Sequence, residues 1–190
     1  MIEMCSSYES WLESLNLQFF LFLGELWVHL AIFETTLRNF LNVSLASIYE
    51  SPEWWSVTNI LRNHEQRLVK TRRTSSPNTS PIDQLSIGFW VTLLSKKYHE
   101  RIWRPITTLY PHLEVFGRRK FQRYLMVIQE FRNKLAHHNL TLTRNIARDI
   151  FYMEQITSLI APTLTSESKQ RAEKIRERII AIDLGSGGGI

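Results

Sequence analysis

Between Gln18 and Tyr49, Phe22, Leu26, Leu30, Phe33, Leu37, Leu41, Ser44 and Ile48 follow one another at spacings of four and three. Each helical residue advances about 100° around the axis, so this spacing keeps returning to one side of an α-helix. The stripe is nearly all apolar and runs for many turns, so it demands packing partners along its whole length. A chain that begins this way folds by covering one long helix with others. Glu34 lies near the edge of the stripe and Arg38 further round, four residues apart and able to pair along the helix. The same region, LNLQFFLFLGELWVHLAIF, is the only membrane candidate. Glu25 and His29 interrupt it, whereas a spanning helix needs about 20 mostly apolar residues, so no membrane span is expected.

The remainder supports helices. Only 7 Gly and 6 Pro occur in 190 residues, sparse for a protein of many tight turns, and no convincing alternating strand pattern is present. SPEWW reads as a helix start, with Ser51 as cap and Pro52 in the first turn, reaching about Arg73. TRRTSSPNTSP follows as a polar loop, and Ser80-Pro81 restart a helical pattern carrying Leu85, Phe89, Leu93 and Leu94. Pro105 and Pro111 divide the next stretch into short pieces. Further helices are expected at Arg118–His138, Arg144–Ile160 and Ser166–Ile182. Trp54, Trp55, Trp90 and Trp103 recur beside apolar residues and are assigned to core or interface rather than to base stacking.

The prediction is an all-α chain: residues 1–184 as one helical domain and 185–190 as a flexible Gly-rich tail. The C-terminal stretch AIDLGSGGGI resembles the first glycine-rich loop of a Rossmann-like methyltransferase but lacks the strand–loop–helix setting that such a loop requires. The single cysteine excludes an internal disulfide framework and suits a reducing cytosol. The start, MIEMCSSYES, has no basic stretch leading into an apolar run, so no secretory signal is expected and the location is read as cytoplasmic. No Cys/His cluster or H-E-x-x-H pattern indicates a metal, and no cofactor is expected.

The stretch QEFRNKLAHHN, Gln129 to Asn139, has the greatest chemical content. On its helix, Phe121, Tyr124, Leu125, Ile128, Phe131 and Leu135 form the core side. Arg132 falls roughly 50° from the centre of that stripe, and His137 roughly 170° away with Asn133 one turn before it. An arginine at a core edge keeps its charge and needs an acidic partner, for which Glu34 is the candidate. One reading makes Arg132–Glu34 a structural ion pair and His137 an exposed histidine favoured by the negative helix end. The other makes Arg132 and His137 an active site.

The ordered pieces FETTLRNFL, PEWW, LSIGFWVTLLSKKYHERIW and LMVIQEFRNKLAHHN resemble the Abi-like (abortive infection) branch of the HEPN superfamily. The resemblance covers roughly residues 20 to 142, about two thirds of the chain. After the two histidines the family pattern usually continues with Glu-Pro, where this chain has Asn139-Leu140. The resemblance implies a single-domain HEPN-like helical bundle, here with additional C-terminal helices. It also implies a homodimer with a composite active site that cleaves RNA without metal, as a toxin, phage-defence factor or processing nuclease, with an antitoxin protein as a further partner. By carry-over Arg132 and His137 form the catalytic pair and Asn133 is their polar companion. His138, at the other edge of the core stripe, is read as packing or hydrogen-bonding before it is read as catalytic.

The residue types suit that chemistry. Attack by the ribose 2′-OH on the adjacent phosphate needs a proton carrier near neutral pH, which histidine supplies. It also needs fixed positive charge on the phosphorane, where a planar arginine fits. From Lys96 to Arg123 eight Lys or Arg face two acidic residues, Glu100 and Glu114. Within that run Arg118, Arg119, Lys120 and Arg123 are the candidate RNA contacts. Arg67, Lys70, Arg72 and Arg73 form a second basic group. The competing readings are a metal-independent endoribonuclease and a catalytically silent helical module that binds RNA or a protein.

Overall fold

Helix α1, Ile2–Ile48, is the axis around which the other elements gather. The structure, a computed structural model, describes residues 2–75, 78–137 and 144–186. Among these are eight α-helices and no strand, so the chain is all-α. The forecast stripe is the buried side of α1: Phe22, Leu26, Leu30, Phe33, Leu37 and Leu41 are buried, joined by His29 and Leu45. Ser44 sits in the same row because its hydroxyl donates to Phe40 O at 2.7 Å, which satisfies it without water. Residues Phe19–Ile48 have mean hydropathy up to 1.4 and are long enough to cross a membrane, yet their apolar row here packs against protein.

One expected helix is corrected. Instead of running from Ser51 to Arg73, the chain makes a 3-10 turn at Trp54–Ser56 and starts α2, Asn63–Ser75, only afterwards. Tryptophan burial overrides the Ser-Pro start signal: Trp54 enters the core, and its Nε1 donates to Asn42 Oδ1 at 2.9 Å. Asn59, at φ 70°, turns the chain into α2, so no continuous helix can pass through it. The expected polar loop shrinks correspondingly, since α2 continues to Ser75.

A 3-10 turn at Pro81–Gln84 precedes α3, Ile87–Leu93, whose Phe89 and Trp90 are buried. A further 3-10 turn and a π-helical turn, His99–Trp103, deliver Tyr98, Ile102 and Trp103 to the core. As the prolines foretold, two short helices follow, α4 (Arg104–Leu109) and α5 (Pro111–Phe116). Gly117, at φ 88°, then starts α6, Arg118–Ala136; a side chain there would be strained whatever the space around it. The chain closes with α7, Ile146–Ile160, and α8, Thr165–Ser186. α8 takes in Gly185 and Ser186, two residues beyond the expected end of the helical domain.

Helix α7 packs on α1, α6 and α8, α1 packs on α6 and α8, and α3 is wedged between α1 and α6. That wedge is close. A Cβ on Gly88 would come within 2.9 Å of Gln129 Nε2, so the glycine of the IGFW segment lets α3 approach α6.

Candidate active site

All six residues assigned to the core side of α6 are buried: Phe121, Tyr124, Leu125, Ile128, Phe131 and Leu135. Arg132 follows at the edge of that face. Its Nε lies 3.7 Å from Glu34 Oε1 on α1, the partner the helix geometry indicated. The side chains are 35% and 30% exposed, so the pair is half-buried. At 3.7 Å it is a charge contact and not a hydrogen bond, and neither of these two buried atoms has a hydrogen-bond partner. Burial pushes the Glu34 carboxyl above its ordinary pKa, offset in part by Arg132 and Arg38. Arg38 does not close on Glu34 one turn away; its Nε pairs with Asp83 Oδ1 at 3.5 Å and its guanidinium donates to Asp83 O.

His137 occupies the C-cap of α6, exposed, its N–H bonded to Asn133 O at 3.1 Å. Asn133 is exposed as well. Five residues along a helix turn a side chain by about 140°, so Arg132 and His137 of one chain leave α6 in different directions. Arg132 faces α1, and His137 faces outward. His138 lies outside the described residues.

An anchor that the sequence reading missed holds this end of α6. Asp149, in the first turn of α7, is fully buried and accepts from Arg144 Nε at 2.5 Å and from Arg148 at 3.0 Å. Arg144 reaches onward to Glu130 at 3.0 Å and to Val127 O at 3.1 Å, and its guanidinium covers the Phe131 ring. The chain emerging after the motif is thus tied back onto the turn that carries Phe131 and Arg132. The signal was present in the sequence: Asp149 falls in the apolar row Ile146, Ile150, Met153, where a carboxylate requires cationic partners.

The basic residues have unequal roles. Arg118 is half-buried and donates to Leu94 O at 3.2 Å and Gln122 Oε1 at 3.1 Å, closing the C-terminal end of α3. Lys120 Nζ sits 4.3 Å from the Phe116 ring centroid, while Arg119 and Arg123 are exposed. Arg118, Arg119 and Lys120, with Lys96, His99 and Glu100, line a groove of about 710 Å³ that Arg123 does not join. It lies at the start of α6, about 28 Å from His137 at 1.5 Å per residue. The second basic group comes closer to the motif. Arg72 and His64 of α2 line a cleft of about 310 Å³ whose other wall includes Gly88 and Gln129, and Gln129 precedes Arg132 by one turn. Neither His64 nor Gln129 stood out in the sequence, because only the shared cleft brings together residues so far apart along the chain.

Among the described residues no three His, Cys, Asp or Glu side chains gather as a metal site. Comparison with family models, with curated proteins and with solved structures gives no match for this chain.

Proposed function

We propose that the protein is a metal-independent endoribonuclease of the Abi-like HEPN type, acting as a cytoplasmic homodimer in a bacterial toxin or phage-defence role. The observation that carries the reading is the state of Arg132. It is oriented by a carboxylate at 3.7 Å yet not hydrogen-bonded to it, and it shares the end of α6 with an exposed histidine. Such a guanidinium can exchange Glu34 for a phosphate with little loss. The 2′-oxygen attacks phosphorus and the P–O5′ bond breaks, giving a 2′,3′-cyclic phosphate and a 5′-hydroxyl. One proton leaves the 2′-OH and one reaches O5′. Because Arg132 and His137 diverge within one chain, the site is completed across a two-fold axis by a second copy of the α6 end. RNA lies along the α2 cleft, which Arg72, His64 and Gln129 line together with Glu65, and an antitoxin protein is the expected inhibitor. No step requires a membrane.

The second reading, a silent helical module that binds RNA or protein, is favoured by that same divergence and by the Arg132–Glu34 contact, which suits an architectural pair. Cleavage of a tRNA mixture in EDTA separates the two. Wild type should yield cyclic-phosphate ends, with activity lost in Arg132→Lys and His137→Ala while both variants remain folded. Intact RNA with wild type, or equal cutting by both variants, selects the silent module.

A further inference from the structure

Away from α6, a groove of about 510 Å³ runs between α1 and α8. Its walls are apolar, with Phe20, Leu21 and Val28 from α1 and Ile175 from α8. Arg171, Lys174 and Arg178 rim it on the α8 side against the single carboxylate of Glu25. Glu25 pairs with Arg178 at 3.0 Å and Arg171 meets Glu167 at 3.7 Å, while Lys174 makes no ion pair among the described residues.

Two features are hard to explain by folding alone. His29 is 3% exposed and lines the groove, yet neither ring nitrogen has a hydrogen-bond partner. It occupies a stripe position where a leucine would pack without that cost. Burial, reinforced by Arg171 and Arg176, holds its pKa to about 4, so near neutral pH it offers one N–H donor and one acceptor. The second feature is Gly24, mid-helix on the same wall, where an added Cβ would meet nothing within 4 Å. Glycine weakens a helix interior, and here its effect is to leave the groove open.

We propose that this groove binds an anionic amphiphile, a medium-chain carboxylate. The carboxylate meets the Lys174 charge at the rim and, once the His29 ring turns to bring a now inaccessible nitrogen to the groove, its N–H. The acyl chain lies along Phe20, Leu21 and Val28. Residues Phe20 to Val28 span about 12 Å along α1, which suits a chain of roughly eight to ten carbons. The volume falls within the range of small-molecule sites. A second copy of the protein fits poorly, because a two-fold contact would set the arginine and lysine rim against itself. A bilayer surface fits poorly too, since the His29 nitrogens lie beneath the groove and only a ligand seated in it can meet one when the ring turns. The inference is independent of the ribonuclease reading.

Titration calorimetry with decanoate, decanol and decyltrimethylammonium tests it on the full chain. Decanoate should bind saturably, at least about 10-fold more tightly than decanol, with no binding of the cation. Lys174→Ala and His29→Leu should each weaken decanoate several-fold and leave decanol unchanged. Gly24→Leu, which fills open space on a helix, should abolish binding while the fold persists by circular dichroism. Equal affinity for decanoate and decanol, absence of saturable decanoate binding, or undiminished binding to Gly24→Leu overturns the proposal. Sedimentation with phosphatidylglycerol vesicles without decanoate binding assigns the groove to a membrane surface, and decanoate-insensitive self-association lost in Gly24→Leu assigns it to a second copy; either result also overturns it.

Discussion

Replacing His29 by leucine should remove a specific acid lability. Burial first, then Arg171 and Arg176 of α8, lower the His29 pKa from 6.5 to about 4. The unfolded chain therefore takes up a proton near pH 6.5, whereas the folded one resists until about pH 4. The stability contribution is complete above 6.5 and is lost as pH falls towards 4. At about 1.4 kcal/mol per pKa unit the loss approaches ~3 kcal/mol. The charges facing the ring are Glu25 of α1 and Arg171, Lys174 and Arg178 of α8, and Arg176 is itself held by Glu154 of α7. None of these neighbours changes in the variant, so wild type minus His29→Leu isolates the ring. The variant should also gain about 1 kcal/mol at pH 7.5, since it removes two unpartnered buried nitrogens. Glu65 and Glu130, whose carboxyls are held below the usual range, lose their contribution at still lower pH, and they do so equally in both proteins. Urea unfolding followed by tryptophan fluorescence at pH 7.5 and 4.5 reads the difference. Parallel losses in the two proteins between those pH values would refute the reasoning.

Breaking the buried anchor with Arg144→Ala should cost about 3–5 kcal/mol, because Asp149, whose carboxyl burial already pushes up, is left with Arg148 as its cationic partner; chemical denaturation measures this. Gly24→Ala should stabilise the protein by about 0.5–1 kcal/mol, seen as a raised melting temperature, since the new methyl meets open space on a helix. His137→Ala should lower RNA cleavage by about 10²–10⁴-fold with unchanged circular dichroism, the range expected for loss of a proton carrier. If RNA takes Arg132 from Glu34, the carboxyl loses a counter-charge and its pKa rises further, so binding should take up protons. Calorimetry in buffers of different ionisation enthalpy detects that uptake, and Glu34→Gln should abolish it.

Periodicity carried most of the helical reading because it reports burial directly. The row on α1, the core face of α6 and the places of α7 and α8 all followed from spacing, and the Arg132–Glu34 contact followed from two edge positions meeting. The first half of the chain after α1 was misread where local and tertiary preferences conflict. Ser51-Pro52-Glu53 is a good helix start in isolation, yet Trp54 is worth more in the core, next to Asn42 and Trp90, than a continued helix is. The anchor at Asp149 and the cleft at Gln129 were hidden for another reason. Each is made of residues that are ordinary one at a time and acquire meaning only when helices far apart in sequence are brought together.

The balance at Glu34 is where architecture and chemistry meet. A carboxylate beside two arginines would ordinarily have its pKa lowered, yet burial outweighs both of them here. The direction reports burial and not distance, since burial pushes the Asp149 carboxyl up as well, with Arg144 at 2.5 Å and Arg148 at 3.0 Å. What sets Glu34 apart is that Arg132 stands at 3.7 Å and Arg38 is drawn off to Asp83. Arg144 and Asp149, by contrast, close to 2.5 Å a short way along the chain. The same fold thus contains a tight ion pair behind the motif and a loose one within it. The tight pair fixes the end of α6 in place, and the loose pair keeps an arginine there that can change partners. That contrast is the support for our proposal that Arg132 is held for a ligand.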